Sequence, residues 1–386
     1  MLFLQYLAYP GGGFFVRTGE EITALAGIGI LQLPTECGGR LLSPEVNVVD
    51  ALHLPGLQDG LGRVEDALAE AIEGQDEFLS EVAGHLIGAG GKRLRPALVV
   101  ASAQACSPRS DARSETVGED VIQGGVAVEL VHLGSLYHDD VMDDAQHRRG
   151  VESVNARWGN LVAILAGDFL LARASEIAAS LGTEVAGLLA RTIGRLCEGE
   201  VGQLRYAFNP DRPESAYISS IAGKTASLMA TSARIGGLTC GAPREWIDAL
   251  TSYGSHMGMA FQIWDDIRDL TSTDGSLGKP AGHDMVEGTY TLPVLRALAV
   301  DGIGDDLRAL LGSPLDTPAR EKARDLVLST SAIATSIVEA RRWADRANAA
   351  LDPIRAGAGD GPAGTLDRLD VLGGVGHRLL DELELP

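Results

Sequence analysis

This chain is short of positive charge, of paired cysteines and of long apolar runs. Lysine and arginine together number 32 against 53 aspartates and glutamates, a formal charge of -21. That excess argues against nucleic acid or an anionic membrane surface as the main partner. The four cysteines (Cys37, Cys106, Cys197, Cys240) are scattered, with no CxxC pair. This suits reduced thiols in a cytoplasmic protein better than a disulfide framework or a zinc site. The longest apolar stretches are MLFLQYLAY at the start and ITALAGIGILQLP at 22–34. Both fall short of the roughly 20 residues that span a bilayer. The first also lacks the basic flank and cleavage site of a secretory signal. Strand-like alternation is nearly absent. Lysine is the scarcest cation, with only Lys92, Lys224, Lys279 and Lys322, and three of these recur below.

What is abundant is helical texture. Residues 1–55 are punctuated by glycine and proline (PGGGFF, CGGR) and carry no sustained period, so they are expected to form a loosely ordered extension. From residue 61, LGRVEDALAEAIEGQDEFLSEVAGHLI spaces apolar residues three and four apart with charges between, as an amphipathic helix does. The pattern recurs at 121–143, 159–182, 184–204, 215–238, 243–270, 289–299, 317–351 and 364–384, in segments rich in Ala, Leu and Glu. An all-α fold over 56–386 is the expectation.

Within this texture, YHDDVMDDAQHRRG (137–150) concentrates carboxylates and then cations. On a helix, Asp139 and Asp143 are i and i+4, one turn apart on one face, with Asp140 beside them and His132 seven residues earlier on nearly the same line. Like charges at that spacing repel unless a cation lies between them. The apolar flank ELVHLGSLY raises the cost by burying the face. Mg²⁺ suits hard carboxylate oxygens, and it completes its shell with water and phosphate. Arg148 and Arg149 are then placed to fork onto that phosphate.

MAFQIWDDIRDLTS (259–272) repeats the arrangement with Asp265 and Asp269 at i and i+4, Asp266 adjacent, and Gln262 one turn before. One DDxxD motif is a weak signal, but two on apolar helices suggest facing carboxylates gripping one diphosphate through metal ions. The lysines fit the same purpose. Lys92 lies in GGKRLRP with Arg93 and Arg95, Lys224 in AGKTASL and Lys279 in LGKPAG. GKT is no nucleotide loop, because Ile218 occupies the position where the motif needs its first glycine. The residues thus describe two anion sites. One uses metal, Lys224 and Lys279. The other uses only cations, Lys92, Arg95, Arg149 and His132. A two-substrate enzyme that releases only one diphosphate would be built this way.

From residue 60 onward, GGKRLRP, HDDVMDDAQHRRG, GKTASL, FQIWDDIRD and GKPAGHD stand in the order found in the trans-isoprenyl diphosphate synthases. The chain resembles that family, and most closely its bacterial long-chain polyprenyl members. The resemblance implies an all-α bundle around a deep central cavity, usually as a homodimer. It implies Mg²⁺ on Asp139 and Asp143 in one motif and Asp265 in the other, with Asp140, Asp266 and Asp269 as further candidates. Isopentenyl diphosphate would be held by Lys92, Arg95, His132 and Arg149. The allylic diphosphate, farnesyl or geranylgeranyl, would be held by Arg148, Lys224, Thr225, Gln262 and Lys279, with Thr225 and Gln262 also stabilising the allylic cation. Gly134 and Ser135, one turn before Asp139, lack aromatic bulk, so an open hydrocarbon tunnel and a product longer than geranylgeranyl are expected. One departure is Thr289, where many members carry lysine. The alternatives are a short-chain geranylgeranyl synthase, a class I terpene cyclase and a non-catalytic partner subunit. The last two are disfavoured because both aspartate motifs and GGKRLRP are present.

Overall fold

A computed structural model describes residues 49, 52–106, 116–272, 281–358 and 364–383, together with the backbone of four short strands before them. Two compact units divide at Pro44 and Glu45. In the first, β1 (Tyr6–Ala8), β2 (Phe14–Thr18), β3 (Glu21–Leu25) and β4 (Ile30–Gln32) pair in sequence order as an antiparallel sheet, with Phe14 opposite Leu25 and Thr18 opposite Glu21. The sequence of this unit, read above as a loosely ordered extension, shows no sustained period. Strands of three to five residues complete too few alternations for a period of two to stand out.

The second unit is a helical bundle. Its first half comprises α1 (Leu57–Ala71), α2 (Glu77–Gly88), α3 (Leu94–Cys106), α4 (Glu119–Met142), α5 (Val154–Trp158), α6 (Asn160–Ser180) and α7 (Thr183–Leu204). There follow α8 (Glu214–Ile221), a π-helical turn (Ala222–Ala226), α9 (Ser227–Thr239) and α10 (Arg244–Thr271). Shorter helices then lead to the long pieces Thr317–Leu328, Ala332–Ala350 and Thr365–Asp381.

The single periodic segment expected from residue 61 is two helices, because Asp76 caps α2 through a 2.9 Å bond from the Leu79 amide. Helix α3 carries no amphipathic signal because every residue in it except Arg95 is buried, and a helix buried all round shows no polar face. Much of α4 is also buried: its Val126, Val128, Leu130 and Leu133 have no exposed surface. Each contributes about 1.5–3 kcal/mol by burial.

Helix α4 packs on α1, α3, α6 and α9, while α10 packs on α9, the π-turn and Ala332–Ala350. Helix α9 therefore touches both helices that carry aspartate motifs. The π-turn is held close to its neighbours by glycine. A Cβ on Gly199 of α7 would lie 2.5 Å from the Lys224 amide nitrogen, and one on Gly223 would lie 2.8 Å from the Gly199 Cα. Only a backbone-to-backbone approach fits, and it sets Lys224 against α7. Among the described residues no helix is long and apolar enough to cross a membrane.

Candidate active site

The carboxylates of the first motif divide by environment. Asp140 is fully buried and accepts from Arg148 at 2.6 and 2.7 Å. It anchors the hairpin that follows rather than facing solvent, which corrects its expected place among the metal ligands. Arg148 is correspondingly engaged with Asp140 instead of standing free for a phosphate. Asp139 keeps 18% of its side chain exposed and lies 3.7 Å from the Lys224 ammonium. Asp143 ends α4 and is exposed. Burial raises the Asp139 carboxyl, with Lys224 opposing. Although the Asp143 side chain reaches solvent, partial desolvation by the chain packed around it lifts its carboxyl to about 6, reinforced by Glu287 and opposed by Lys224.

Lys224 has a second partner that the sequence did not reveal. The Glu200 carboxylate of α7 lies 2.5 Å from its ammonium. The adjacent residue, Thr225, donates to the Gln262 carbonyl at 2.6 Å, and the Gln262 amide donates to Asp266 at 2.8 Å. Two consecutive residues of the π-turn thus reach both aspartate motifs, Lys224 the first and Thr225 the second. A π-turn inserts one residue into the helical register, and such turns recur at functional sites.

In the second motif Asp265 is exposed, whereas Asp266 and Asp269 are buried. Asp266 also accepts from the Tyr217 hydroxyl at 2.6 Å, and burial raises its carboxyl well above the usual range. Asp269 accepts from the Asp284 amide at 3.3 Å, and its carbonyl accepts from Gly282 at 2.7 Å. These two hold α10 to its surroundings, and Asp265 is the exposed member of that motif. Lys279 lies outside the described residues. Thr289, at the position of the missing lysine, donates its amide to the Asp284 carbonyl at 2.8 Å.

The cation site forms where α2, α3, α4 and the hairpin β5 (His147–Arg148)–β6 (Val151–Glu152) meet. Its central turn, Arg149–Gly150, has φ of 53° and 77°, the left-handed pair a two-residue hairpin requires. The Arg149 guanidinium donates to Leu86 O at 3.0 Å and to Gly90 O, at the C-terminal end of α2, where a helix attracts positive charge. Arg95 is half-buried, and Lys92 is exposed. Arg93, one of three cations read from GGKRLRP, is instead committed to Glu65 and Glu129. Burial and four nearby arginines push His132 well below its ordinary range.

A Cβ on Gly134 would lie 3.0 Å from Gly167 O and 3.2 Å from Leu171 of α6. Its lack of a side chain lets the two helices meet closely there. The Ser135 hydroxyl donates to His132 O at 2.8 Å. Tyr137 points into α2 with its hydroxyl on Val82 O at 2.8 Å. A cavity of about 740 Å³ lies beside the π-turn, but Arg195, Glu198, Arg205 and Tyr206 in its lining make it unsuited to a hydrocarbon tail.

A helical bundle in which Lys224 meets the first aspartate motif and the adjacent Thr225 reaches the second through Gln262, beside a cluster of arginines, fits an enzyme that handles two phosphorylated substrates. Comparison with known proteins names the family. The polyprenyl synthetase family model matches residues 76–324. The chain is 42% identical to nonaprenyl diphosphate synthase of Mycobacterium tuberculosis over 74% of this chain and 84% of the other. It is 39% identical to heptaprenyl diphosphate synthase component 2 of Geobacillus stearothermophilus, over 77% and 91%. Among solved structures, a Caulobacter crescentus polyprenyl synthase complexed with calcium and isoprenyl diphosphate superposes with a TM-score of 0.76 at 30% identity, over 86% and 98% of the two chains. The chain belongs to the polyprenyl synthetase family. It is a transferase that elongates an allylic diphosphate with isopentenyl units in trans, of the medium-to-long-chain type.

Proposed function

We propose that residues 56–386 form the synthase domain and that Mg²⁺ binds at Asp139, Asp143 and Asp265. The observation that carries this reading is the π-turn, whose Lys224 and Thr225 join the two motifs. The donor set is all hard oxygen, as Mg²⁺ requires. Among the described residues no three His, Cys, Asp or Glu side chains already form a cage. When bound, the metal ions neutralise charge on the departing diphosphate.

The chain's own groups do the rest. Lys224, next to Asp139, turns its ammonium to the leaving oxygen of the allylic diphosphate, while Arg148 keeps its bond to Asp140 and Lys279 is the further cation that the family resemblance assigns to this diphosphate. Thr225 and Gln262, already bonded to each other, direct their oxygen dipoles at the allylic cation. Lys92, Arg95, Arg149 and His132 hold isopentenyl diphosphate so that its double bond meets that cation. Deprotonation then completes the new isoprene unit, with the released diphosphate as base. The primer is farnesyl or geranylgeranyl diphosphate. On α6, exposed Leu161, Ile164 and Leu165 form a stripe at i, i+3 and i+4 that supports a homodimer, in the cytoplasm.

The test is incubation of the purified chain with labelled isopentenyl diphosphate, farnesyl diphosphate and Mg²⁺, followed by chromatography of the dephosphorylated products. Alcohols longer than geranylgeraniol are expected. A geranylgeranyl endpoint would mean a short-chain enzyme, and no product from the chain alone would mean that a second component is needed.

Asp143 makes the metal site pH-dependent. A carboxyl whose pKa is raised on folding binds its proton more tightly in the folded chain. Its stabilising effect is therefore complete at acid pH and is lost as pH rises from about 3.9 through about 6. Above that range Mg²⁺ takes the proton's place. Mg²⁺ should raise the melting temperature more at about pH 7.5 than at about pH 5, where it competes with the proton. Equal gains at both pH values would remove Asp143 from the metal site.

A further inference from the structure

Glu129 of α4 is 1% exposed, and neither the motifs nor the metal chemistry calls for a carboxylate there. Its Oε1 accepts from the Arg93 guanidinium at 2.9 Å and lies 3.8 Å from that of Arg149. Its Oε2 accepts no hydrogen bond among the described residues. Burial pushes Arg95 and Arg149 down, and for both Glu129 is the largest influence restoring the charged form. Arg93 also reaches Glu65 of α1, its second arm donating at 3.1 Å. One carboxylate therefore ties the start of α3, the hairpin after α4 and α4 itself. His132 lies one turn further along the same helix. An uncompensated buried charge is strongly destabilising, so a cluster of arginines here requires a partner.

We infer that Glu129 is a positioning residue. It holds the Arg93 and Arg149 guanidinium groups around one carboxylate, and so sets the affinity for isopentenyl diphosphate without touching it. The inference rests on the proposal that these arginines form the metal-independent substrate pocket. Arg93 is neutralised by its two carboxylates, which leaves Lys92, Arg95 and Arg149 facing the anion. The unbonded Oε2 keeps capacity for Arg149 when that side chain turns toward a phosphate.

The experiment is calorimetric titration of isopentenyl diphosphate in EDTA into the full chain and its Glu129→Gln and Glu129→Asp variants. Melting temperatures and the KM for farnesyl diphosphate are measured alongside. The unaltered chain should bind without metal. Glu129→Gln should weaken binding by roughly tenfold or more, the effect of misplacing one charged hydrogen bond. Glu129→Asp, which keeps the charge but shortens its reach, should fall between, and the farnesyl diphosphate KM should hold within about twofold for both variants. Should Glu129→Gln fail to fold, the Asp variant decides by the same split. Unaltered binding in the variants overturns the inference, as does a loss shared equally between both substrates and the melting temperature. Absence of metal-free binding in the unaltered chain overturns the pocket on which it rests.

Discussion

Asp139→Asn is expected to lower kcat by about a thousandfold, the scale on which removing a transition-state charge stabiliser acts. Metal-free binding of isopentenyl diphosphate should be unchanged. The substitution keeps the side chain's shape and removes the partly exposed carboxylate one turn from Asp143. Lys224 retains Glu200 at 2.5 Å, so the π-turn keeps its anchor. Burial and repulsion from Glu200 and Asp140 weigh against the Asp139 charge. The metal-free melting temperature should therefore hold or rise while turnover collapses. A kcat within tenfold of the unaltered enzyme would remove Asp139 from the metal site.

Lys224→Ala should act on two quantities with one cause. Turnover is expected to fall by about a hundredfold, because the cation nearest the departing diphosphate is gone. The metal-free melting temperature should also fall, since Asp139 and Glu200 lose the ammonium lying between them. Removing one partner leaves the other charges uncompensated. Mg²⁺ should narrow that stability gap, because a divalent ion at Asp139 supplies part of the missing positive charge. A variant with full activity would exclude Lys224 from the chemistry. An unchanged melting temperature with reduced activity would mean that Glu200 and Asp139 are relieved by other groups.

The two corrections within the first motif share a cause. Asp139 and Asp140 are adjacent and chemically identical, yet one remains accessible while the other is fully buried against Arg148. Successive residues on a helix point about 100° apart. Which of the two faces solvent therefore depends on where the hairpin folds back, and that is set by Gly150 and the strained Arg149. Gly134 shows the same dependence. Its lack of bulk was legible, but whether that space belongs to a tunnel or to a helix contact depends on α6, thirty-three residues further along at Gly167.

By itself, the sequence determined the helical class, the family and the chemistry, because periodicity and motif spacing are local and survive without knowledge of contacts. Most helix boundaries from residue 121 to 271 follow from it closely. Only the tertiary structure could divide each aspartate motif into open and anchoring members. It alone revealed Glu129 and Glu200, each a carboxylate within an ordinary helical run whose meaning comes from cations on other elements. Long-range electrostatic partners are chosen by packing, and packing joins residues that no local pattern connects.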